Sequence, residues 1–363
     1  MSEMSGNILE TRLLSSLEKV FPDEELSAQA WQTGSMLSNE VYSFQIACRI
    51  RPGAAEEHLS GTLHVQADPD LAPFILLRQV VPVPSDFPIY EDHDENVLRA
   101  EPGWYPDLLR PLDGPLTVSK QWQSVWVTVN HDKRDIRPGR YAIRLSLSAE
   151  GSGDAEGVGE APAAGTFDLE ILSEKLPEQS LIHTMWFHTD CLATWYGDEV
   201  FSEAHWKRIG QYIKTATAHG IHMILTPIFT PPLDTRVGGE RPTVQLVDVW
   251  KSGDSYRFGF DKLERWVELC RERGVKHFEF SHLFTQWGAG HAPKILASED
   301  GETKRIFGWE TDAAGPEYEH FLDQFLPALV SFLKAHGLEK CSWFHVSDEP
   351  HEDHLAAYEN ASR

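Results

Sequence analysis

The chain is short of cysteine and of positive charge, and both shortages exclude classes of protein. Its 363 residues contain four scattered cysteines, Cys48, Cys191, Cys270 and Cys341, which predicts a reduced protein without disulfides. Lysine and arginine number 32 against 56 aspartates and glutamates, so the formal net charge is -24. Such a surface excludes nucleic acid and anionic membranes as partners, because both require basic contacts.

Long apolar runs and a basic amino terminus are also missing. No apolar run approaches the roughly 20 residues that span a bilayer. Residues 1–6 contain no basic region followed by an apolar core, so no signal peptide is predicted. The sequence therefore predicts a cytoplasmic protein with no membrane partner.

The first half of the chain has the two-residue period of β-strands. Apolar and polar side chains alternate over residues 41–50 and 122–130, and again after the turn at residues 137–139. Such an alternation indicates a sheet with one buried face. Several strands separated by Pro/Gly turns predict an antiparallel β-sandwich over residues 1–176. Residues 150–165, rich in Gly, Ala and Glu, are predicted to form a mobile hairpin tip.

After a boundary at residues 174–180, strand-like runs alternate with helix-like ones. Strands are predicted at residues 181–188, 221–225, 277–284 and from Cys341, with helices beginning at Ser202, Asp261 and Tyr318. A repeated βα unit implies a parallel sheet, and long segments after its strands favour a TIM-like barrel. Four strands are half of a closed eight-stranded barrel. Residues 177–363 are therefore predicted to form the N-terminal half of a TIM-like catalytic barrel.

The last predicted strand ends in two adjacent carboxylates and a proline, Asp348, Glu349 and Pro350. Proline donates no ladder hydrogen bond, so the acids are predicted at the carboxyl end of this strand. Neighbouring side chains in a strand point to opposite faces, so both acids can serve one pocket only where the backbone turns away. In barrels this edge carries the chemistry. A solvated turn or the first turn of a helix is the ordinary alternative.

Aromatic side chains recur in the long segments that follow the predicted strands. Their rings are natural platforms for the C–H faces of a sugar, although for any one ring packing within the loop is the ordinary alternative. The six rings are Trp195, Tyr196, Trp250, Tyr256, Trp287 and Trp309.

Three segments of the sequence together carry a resemblance to a known family: Ser347-Asp348-Glu349-Pro350, His188-Thr189-Asp190-Cys191-Leu192-Ala193 and Tyr105-Pro106-Asp107-Leu108-Leu109. They resemble glycoside hydrolase family 123, and the resemblance covers nearly the whole chain. It implies a β-sandwich before a TIM-like barrel, β-N-acetylgalactosaminidase activity on a glycan, and no metal or organic cofactor.

The resemblance further implies a retaining, substrate-assisted mechanism, in which the substrate's 2-acetamido oxygen attacks the anomeric carbon. Asp348 would orient the acetamido group and stabilise its developing positive charge. Glu349 would protonate the leaving oxygen and then deprotonate the incoming water. Substrate contacts are expected from Trp287, His188, Asp190 and His345.

Three alternatives are open at this point. Asp348-Glu349-Pro350 also resembles the Asn-Glu-Pro of the large retaining glycosidase clan, whose nucleophile lies on the seventh strand. A zinc-dependent barrel hydrolase is the second, although the first barrel strand has no H-x-H and no helix has H-E-x-x-H. The third is a truncated carbohydrate-binding chain without catalysis, and the exposed edges of a half barrel would favour homo-oligomers. The residues that could serve zinc are His183, His188, His222, His277, His282 and His345, with Asp190 and Asp348.

Overall fold

The chain folds as two units, which a computed structural model describes over residues 8–149, 163–233 and 235–362. The units are Met1–Glu178 and Gln179–Arg363. Their division lies inside segment 174–180, where the sequence predicts a boundary. Each unit has a hydrophobic core of its own.

The first unit consists of β-strands, arranged in two five-stranded sheets ordered β1-β3-β8-β5-β6 and β2-β10-β9-β4-β7. Among the described strands, neighbours pair antiparallel except β2 and β10, which are parallel. The predicted antiparallel β-rich region is therefore confirmed, with one parallel pair added. The strands are β1 Leu9–Ser15, β2 Thr33–Leu37, β3 Tyr42–Ile50, β4 His58–Gln66, β5 Ile75–Ser85, β6 Gly103–Pro111, β7 Leu116–Ser119, β8 Gln123–Val129, β9 Gly139–Ala149 and β10 Ala163–Leu172, with a 3-10 helix at Ala72–Phe74.

The two sheets of the first unit pack through alternate apolar side chains. Phe44 of β3 and Phe167 of β10 are fully buried and stack with their ring centroids 4.1 Å apart. The expectation of one buried face is wrong for β3. Gln45, on its other face, is also buried and donates hydrogen bonds to the carbonyls of Ser15 and Glu18. The chain that leaves β1 covers this face and so removes it from water.

The predicted hairpin tip at residues 150–165 is only partly visible. Residues 150–162 lie outside the described residues, and residues 163–165 belong to β10. The prediction of mobility at this tip is therefore untested.

The second unit alternates strands and helices. Its strands are β11 Thr184–Met185, β12 Met223–Thr226, β13 Asp248–Ser252, β14 Ser255–Gly259, β15 His277–Phe280, β16 Ile295–Glu299, β17 Glu302–Phe307 and β18 Ser342–Phe344. Its helices are α1 Thr189–Tyr196, α2 Glu203–Ala218, α3 Asp261–Glu272, α4 Pro316–Ala335 and α5 Leu355–Ala361, with a 3-10 helix at Glu352–His354.

A parallel sheet lies at the centre of the second unit. The strands β11, β12, β15 and β18 are neighbours in chain order, and every pair is parallel. The predicted βα repeat is present, with α2, α3 and α4 between successive strands. A TIM barrel is not confirmed, because this described sheet has four strands and a closed barrel has eight. The last strand, predicted to run from Cys341 to the acid pair, ends earlier, at Phe344.

The segments predicted as long loops contain a second sheet, which the sequence analysis missed. The hairpins β13-β14 and β16-β17 lie side by side and meet through a parallel bridge between Trp250 and Ser298. Asp300 and Gly301 join β16 to β17 with φ of 52° and 82°. A two-residue type I′ turn requires such positive φ at both positions, and Asp-Gly is a typical sequence for it.

The ends of the helices largely follow the sequence. The hydroxyl of Ser202 accepts a hydrogen bond from the backbone N–H of His205 and so caps α2. Asp261 and Glu264 have the spacing of a capping box, but Phe260 occupies the N-cap of α3 and no side chain caps it. Gly337, with φ of 63°, follows α4 and supplies the left-handed residue that ends many helices.

Candidate active site

The predicted catalytic pair lies beyond the last parallel strand, where the chain has left the sheet. Asp348 is half-buried and Glu349 is exposed. Glu349 has φ of 45°, in the left-handed region that side chains with a Cβ rarely adopt. The turn releases the two side chains from the strict alternation of a strand. Both carboxylates therefore lie in an accessible turn after the carboxyl end of β18.

A second strained turn follows β15. Trp287, Gly288 and Ala289 have consecutive positive φ values of 59°, 107° and 61°. A residue other than glycine in this region costs of order 1–3 kcal/mol and persists only where its surroundings hold it there. Gly288 is also required by space, because a Cβ at this position would come within 2.3 Å of His354. The turn leaves the Trp287 ring partly exposed.

Hydrogen bonds join the two strained turns. The backbone N–H of Trp287 donates to the carbonyl of Asp348 at 2.8 Å. The N–H of Gly288 donates to the hydroxyl of Ser347 at 3.2 Å, and this hydroxyl donates to the carbonyl of Thr285 at 3.0 Å. We call this set of three hydrogen bonds the Ser347 clasp. It places Trp287, a predicted substrate contact, beside the acid pair.

A buried carboxylate, Glu279, lies on β15 of the same sheet. It accepts hydrogen bonds from the hydroxyl of Thr184 and from the indole N–H of Trp186, the latter at 3.1 Å. Nδ1 of His345 lies 3.8 Å from its Oε1 atom. The sequence analysis missed Glu279, whose only signal is an acid inside an apolar strand, His277–Phe280.

Two histidines meet beside this carboxylate. Nε2 of His282 and Nδ1 of His345 are 2.9 Å apart, so one of the two nitrogens donates to the other. Burial, with a smaller contribution from nearby His345, lowers the pKa of His282 to about 3. His282 is therefore neutral near pH 7. His345 keeps part of its ring exposed, so it can contact a ligand as predicted.

The predicted substrate contact Asp190 is engaged by another residue of the protein. It lies in the first turn of α1, buried, and its two carboxylate oxygens accept from Nε and Nη2 of Arg241 at 3.0 and 3.1 Å. Arg241 also donates to the carbonyl of Leu233. His188 is the half-buried N-cap residue of the same helix. This arrangement ties α1 to the segment that follows β12.

Four of the six aromatic candidates are engaged by other residues of the protein. Trp250 lies under the guanidinium of Arg257, Tyr256 packs edge-on against Phe321, and Trp309 donates its indole N–H to the carbonyl of Gly239. Tyr196, on α1, lies under the guanidinium of Arg208 and shares a hydrogen bond with the hydroxyl of Tyr212. Trp195 is exposed on α1, and Trp287 is the candidate that the structure brings to the acid pair.

The part of the chain that the structure describes contains neither a group of metal-ligating side chains nor a membrane-spanning helix. No three or more His, Cys, Asp or Glu side chains there are grouped so that they could hold a metal ion. Of the six predicted histidines, His282 and His345 contact each other. No described helix is long and apolar enough to cross a bilayer.

Comparison with known proteins identifies one family. Residues 186–363 match the family model described as "Glycoside hydrolase 123, catalytic domain", which confirms the resemblance read from the sequence. No curated protein matches the chain.

Among solved structures, a family 123 glycoside hydrolase from Clostridium perfringens, studied for glycolipid glycan hydrolysis, matches with a TM-score of 0.71 and 15% identity. The match covers 97% of this chain and 61% of that structure. The likeness therefore shows a shared fold, over about three fifths of the length of the other protein.

Two other matches are too distant to carry an argument. One is AvmM, which catalyses macrocyclization in alchivemycin A biosynthesis (TM-score 0.22, 11% identity, 48% of this chain and 93% of that one). The other is the class 5 fimbriae chaperone CfaA (TM-score 0.17, 8% identity, 42% of this chain and 59% of that one).

Proposed function

Because residues 186–363 match the catalytic domain of glycoside hydrolase family 123, we propose that this chain hydrolyses glycosidic bonds in a glycan. The observation that supports the proposal most is the accessible turn that carries Asp348 and Glu349 beyond the carboxyl end of a parallel strand. Catalytic residues of βα folds usually come from this edge. The chain spans 61% of the Clostridium perfringens protein, so the activity of a whole family member is itself part of the proposal.

The proposed substrate is a glycan that ends in β-linked N-acetylgalactosamine. Most retaining glycosidases place two carboxyl groups roughly 5 Å apart on either side of the scissile bond. Asp348 and Glu349 are consecutive residues, so they cannot easily flank a sugar in this way. A 2-acetamido sugar supplies its own nucleophile and removes the need for a carboxylate on the far side. The Clostridium perfringens protein is described for glycolipid glycan hydrolysis, which supports a glycan as the substrate.

The proposed reaction has two steps. In the first, the acetamido oxygen bonds to the anomeric carbon while the bond to the leaving oxygen breaks, and Glu349 gives its proton to that oxygen. Asp348 accepts a hydrogen bond from the acetamido N–H and stabilises the positive charge that develops on the group. In the second, Glu349 takes a proton from water, whose oxygen displaces the acetamido oxygen from the anomeric carbon. Two displacements give net retention.

Further roles are proposed for the residues around the pair. The partly exposed ring of Trp287 would lie against a C–H face of the sugar, because the Ser347 clasp holds it beside Asp348. The exposed part of the His345 ring would bond a sugar oxygen. Asp190 is bound to Arg241, so its contribution would be to position α1, with His188 at its start. The two steps use no metal or organic cofactor.

Hydrolysis of two chromogenic substrates tests the proposal. We expect release of the chromophore from an N-acetyl-β-galactosaminide and little or none from the matching β-galactoside, which lacks the acetamido nucleophile. Equal rates on both substrates would contradict the substrate-assisted mechanism. No release from either, by a folded chain, would contradict the hydrolase itself.

Asp348→Asn tests the role of the first acid. The amide keeps the shape of the side chain but loses the negative charge, so we expect the turnover of the N-acetyl substrate to fall by about 10²–10³-fold. The turnover number is the measurement. An Asp348→Asn variant that hydrolyses the 2-acetamido substrate at the wild-type rate would show that the assigned role is wrong.

A further inference from the structure

Ser347, the residue just before the acid pair, joins the two strained turns of the site through its hydroxyl. We infer that Ser347 is a positioning residue, which holds Trp287 and Glu349 in the arrangement that the reaction requires. The inference rests on the proposed function, and it extends that function to a residue that touches no substrate atom.

The hydroxyl of Ser347 is fully committed to the protein. It accepts from the N–H of Gly288 at 3.2 Å and donates to the carbonyl of Thr285 at 3.0 Å. Ser347 is 1% exposed, so water cannot replace either bond. Both partners lie in the segment that ends in the strained turn at Trp287. Without the hydroxyl, the buried N–H of Gly288 would lose its partner, and the carbonyl of Thr285 would keep only the N–H of Ala289, at 3.3 Å.

The strained backbone explains why the hydrogen bonds of Ser347 affect the position of the turn at Trp287 as well as the stability of the protein. Trp287, Ala289 and Glu349 have φ of 59°, 61° and 45°, which are unfavourable for their side chains. Backbone strain persists only where the surrounding contacts over-determine it. The Ser347 clasp supplies such contacts from the side of the acid pair. When it is weakened, the turn is free to relax toward negative φ and to carry the Trp287 ring with it.

A displacement of this kind has a distinctive kinetic signature. A reacting group that moves by about 1 Å can lose on the order of 10²-fold in rate. If Glu349 moves away from the leaving oxygen, protonation is impaired, and substrates with poor leaving groups suffer most. A variant that is merely less stable has fewer active molecules, which lowers the rate by the same factor on every substrate.

Ser281 offers a matched control within the same unit. It follows β15 and is also 1% exposed. Its hydroxyl donates to the carbonyl of Phe229 at 3.0 Å and accepts from the N–H of the same residue at 3.4 Å. Ser281→Ala therefore removes the same number of buried hydrogen bonds as Ser347→Ala, but does not touch the turns at Trp287 and Glu349.

The test compares the two alanine variants on N-acetyl-β-galactosaminides with good and poor leaving groups. For Ser347→Ala we expect turnover to fall about 10-fold on a dinitrophenyl substrate and about 100-fold on a methoxyphenyl one. Ser281→Ala should lower both rates by one common factor, and Ser347→Thr, which keeps the hydroxyl, should lose less than Ser347→Ala. A common factor for Ser347→Ala as well would overturn the inference.

Amide hydrogen exchange provides a second measurement that does not depend on turnover. Ser347→Ala should speed the exchange of the Trp287 and Gly288 amides by about 10-fold or more, while Ser281→Ala leaves them unchanged. Unchanged exchange in Ser347→Ala would overturn the inference. A folded wild-type chain without activity would instead refute the proposed hydrolase, and the exchange rates would still decide whether Ser347 orders the turn.

Discussion

The two units bury polar side chains of different kinds. Among the described residues, the buried polar side chains of the first unit carry no ionisable group: Ser38, Gln45, Ser124, Thr128 and Asn130. Those of the second unit include four ionisable residues: Asp190, His205, Glu279 and His282. Burying a group that can carry charge is costly unless partners satisfy it. The second unit bears this cost at Glu279 and His282, on and just after β15, and at Asp190 and His205, on α1 and α2. The ionisable side chains buried in the described part of the first unit, Cys48 and Tyr141, have their pKa raised by burial and stay neutral.

The two units also differ in backbone strain, which is greater in the second unit. In the described part of the first unit, the non-glycine residues with positive φ are Asn130 and Lys133, and both lie in the turn after β8. Asparagine is among the residues that tolerate this conformation best. In the described part of the second unit five non-glycine residues adopt it: Trp287, Ala289 and Glu349 around the acid pair, Asp300 in a hairpin turn, and Phe201 before α2. Three of these five departures from local rules therefore lie where chemistry is proposed.

The largest expected effect tests whether the strained turn of the second unit is catalytic. Glu349→Gln removes the proton donor, so we expect the turnover number to fall by about 10²–10⁴-fold. An added nucleophile such as azide should partly restore turnover of substrates with good leaving groups. The control is Glu352→Gln, another exposed acid three residues further along, which should retain the wild-type rate. Equal losses of turnover in Glu349→Gln and Glu352→Gln would contradict a catalytic role for the acid pair.

The next effect compares an ion pair of each unit. Asp190→Ala leaves the partly buried guanidinium of Arg241 without its carboxylate and should lower the free energy of unfolding by about 3–5 kcal/mol. Asp135→Ala breaks the exposed pair with Lys175 in the first unit and should cost about 0–1 kcal/mol. Urea unfolding of the two variants measures the difference. Similar costs would mean that the buried pair contributes no more than a surface pair.

The pH dependence of stability follows from His282. Burial lowers its pKa in the folded protein to about 3, against an ordinary value of 6.5, so between these values the unfolded chain binds the extra proton. The contribution of His282 to the free energy of unfolding is therefore fully present above pH 6.5. It is lost on acidification, by up to about 1.4 kcal/mol per pH unit. His282→Gln should flatten this slope when unfolding is measured at pH 7.5, 6 and 5. A variant as acid-sensitive as the wild type would contradict the assignment.

The uncharged interior of the first unit gives an effect that should not depend on pH. Ser124 donates its hydroxyl proton to Oε1 of buried Gln45 at 2.9 Å. Ser124→Ala leaves that oxygen without this donor, so the free energy of unfolding should fall by about 1–3 kcal/mol. The loss should be equal at pH 7.5 and pH 5, because neither partner titrates. A loss that changes with pH would contradict the assignment of uncharged buried polar side chains to the first unit and ionisable ones to the second.

Much of the fold follows from short-range patterns in the chain. The alternation at residues 41–50 predicts β3, and the glycines after the helices predict where they end. The missed strands have physical reasons as well. Strand β6, with the sequence GWYPDLLRP, contains two prolines, which normally argue against a strand. The hairpin strands β13, β14, β16 and β17 have only five or six residues each, too few to show a period clearly.

The candidate site also has features that follow from short-range patterns in the sequence and features that do not. The order of an apolar run, two acids and Pro350 predicts that Asp348 and Glu349 lie where a strand has ended, which can be read from neighbouring residues alone, although β18 already ends at Phe344. No such reading pairs Asp190 with Arg241, 51 residues away, or His282 with His345, 63 residues away. Strand ends and turns depend on the conformational preferences of a few adjacent residues. Buried polar pairs and strained turns depend on which distant segments the core brings together, so they can be identified only from the packed structure.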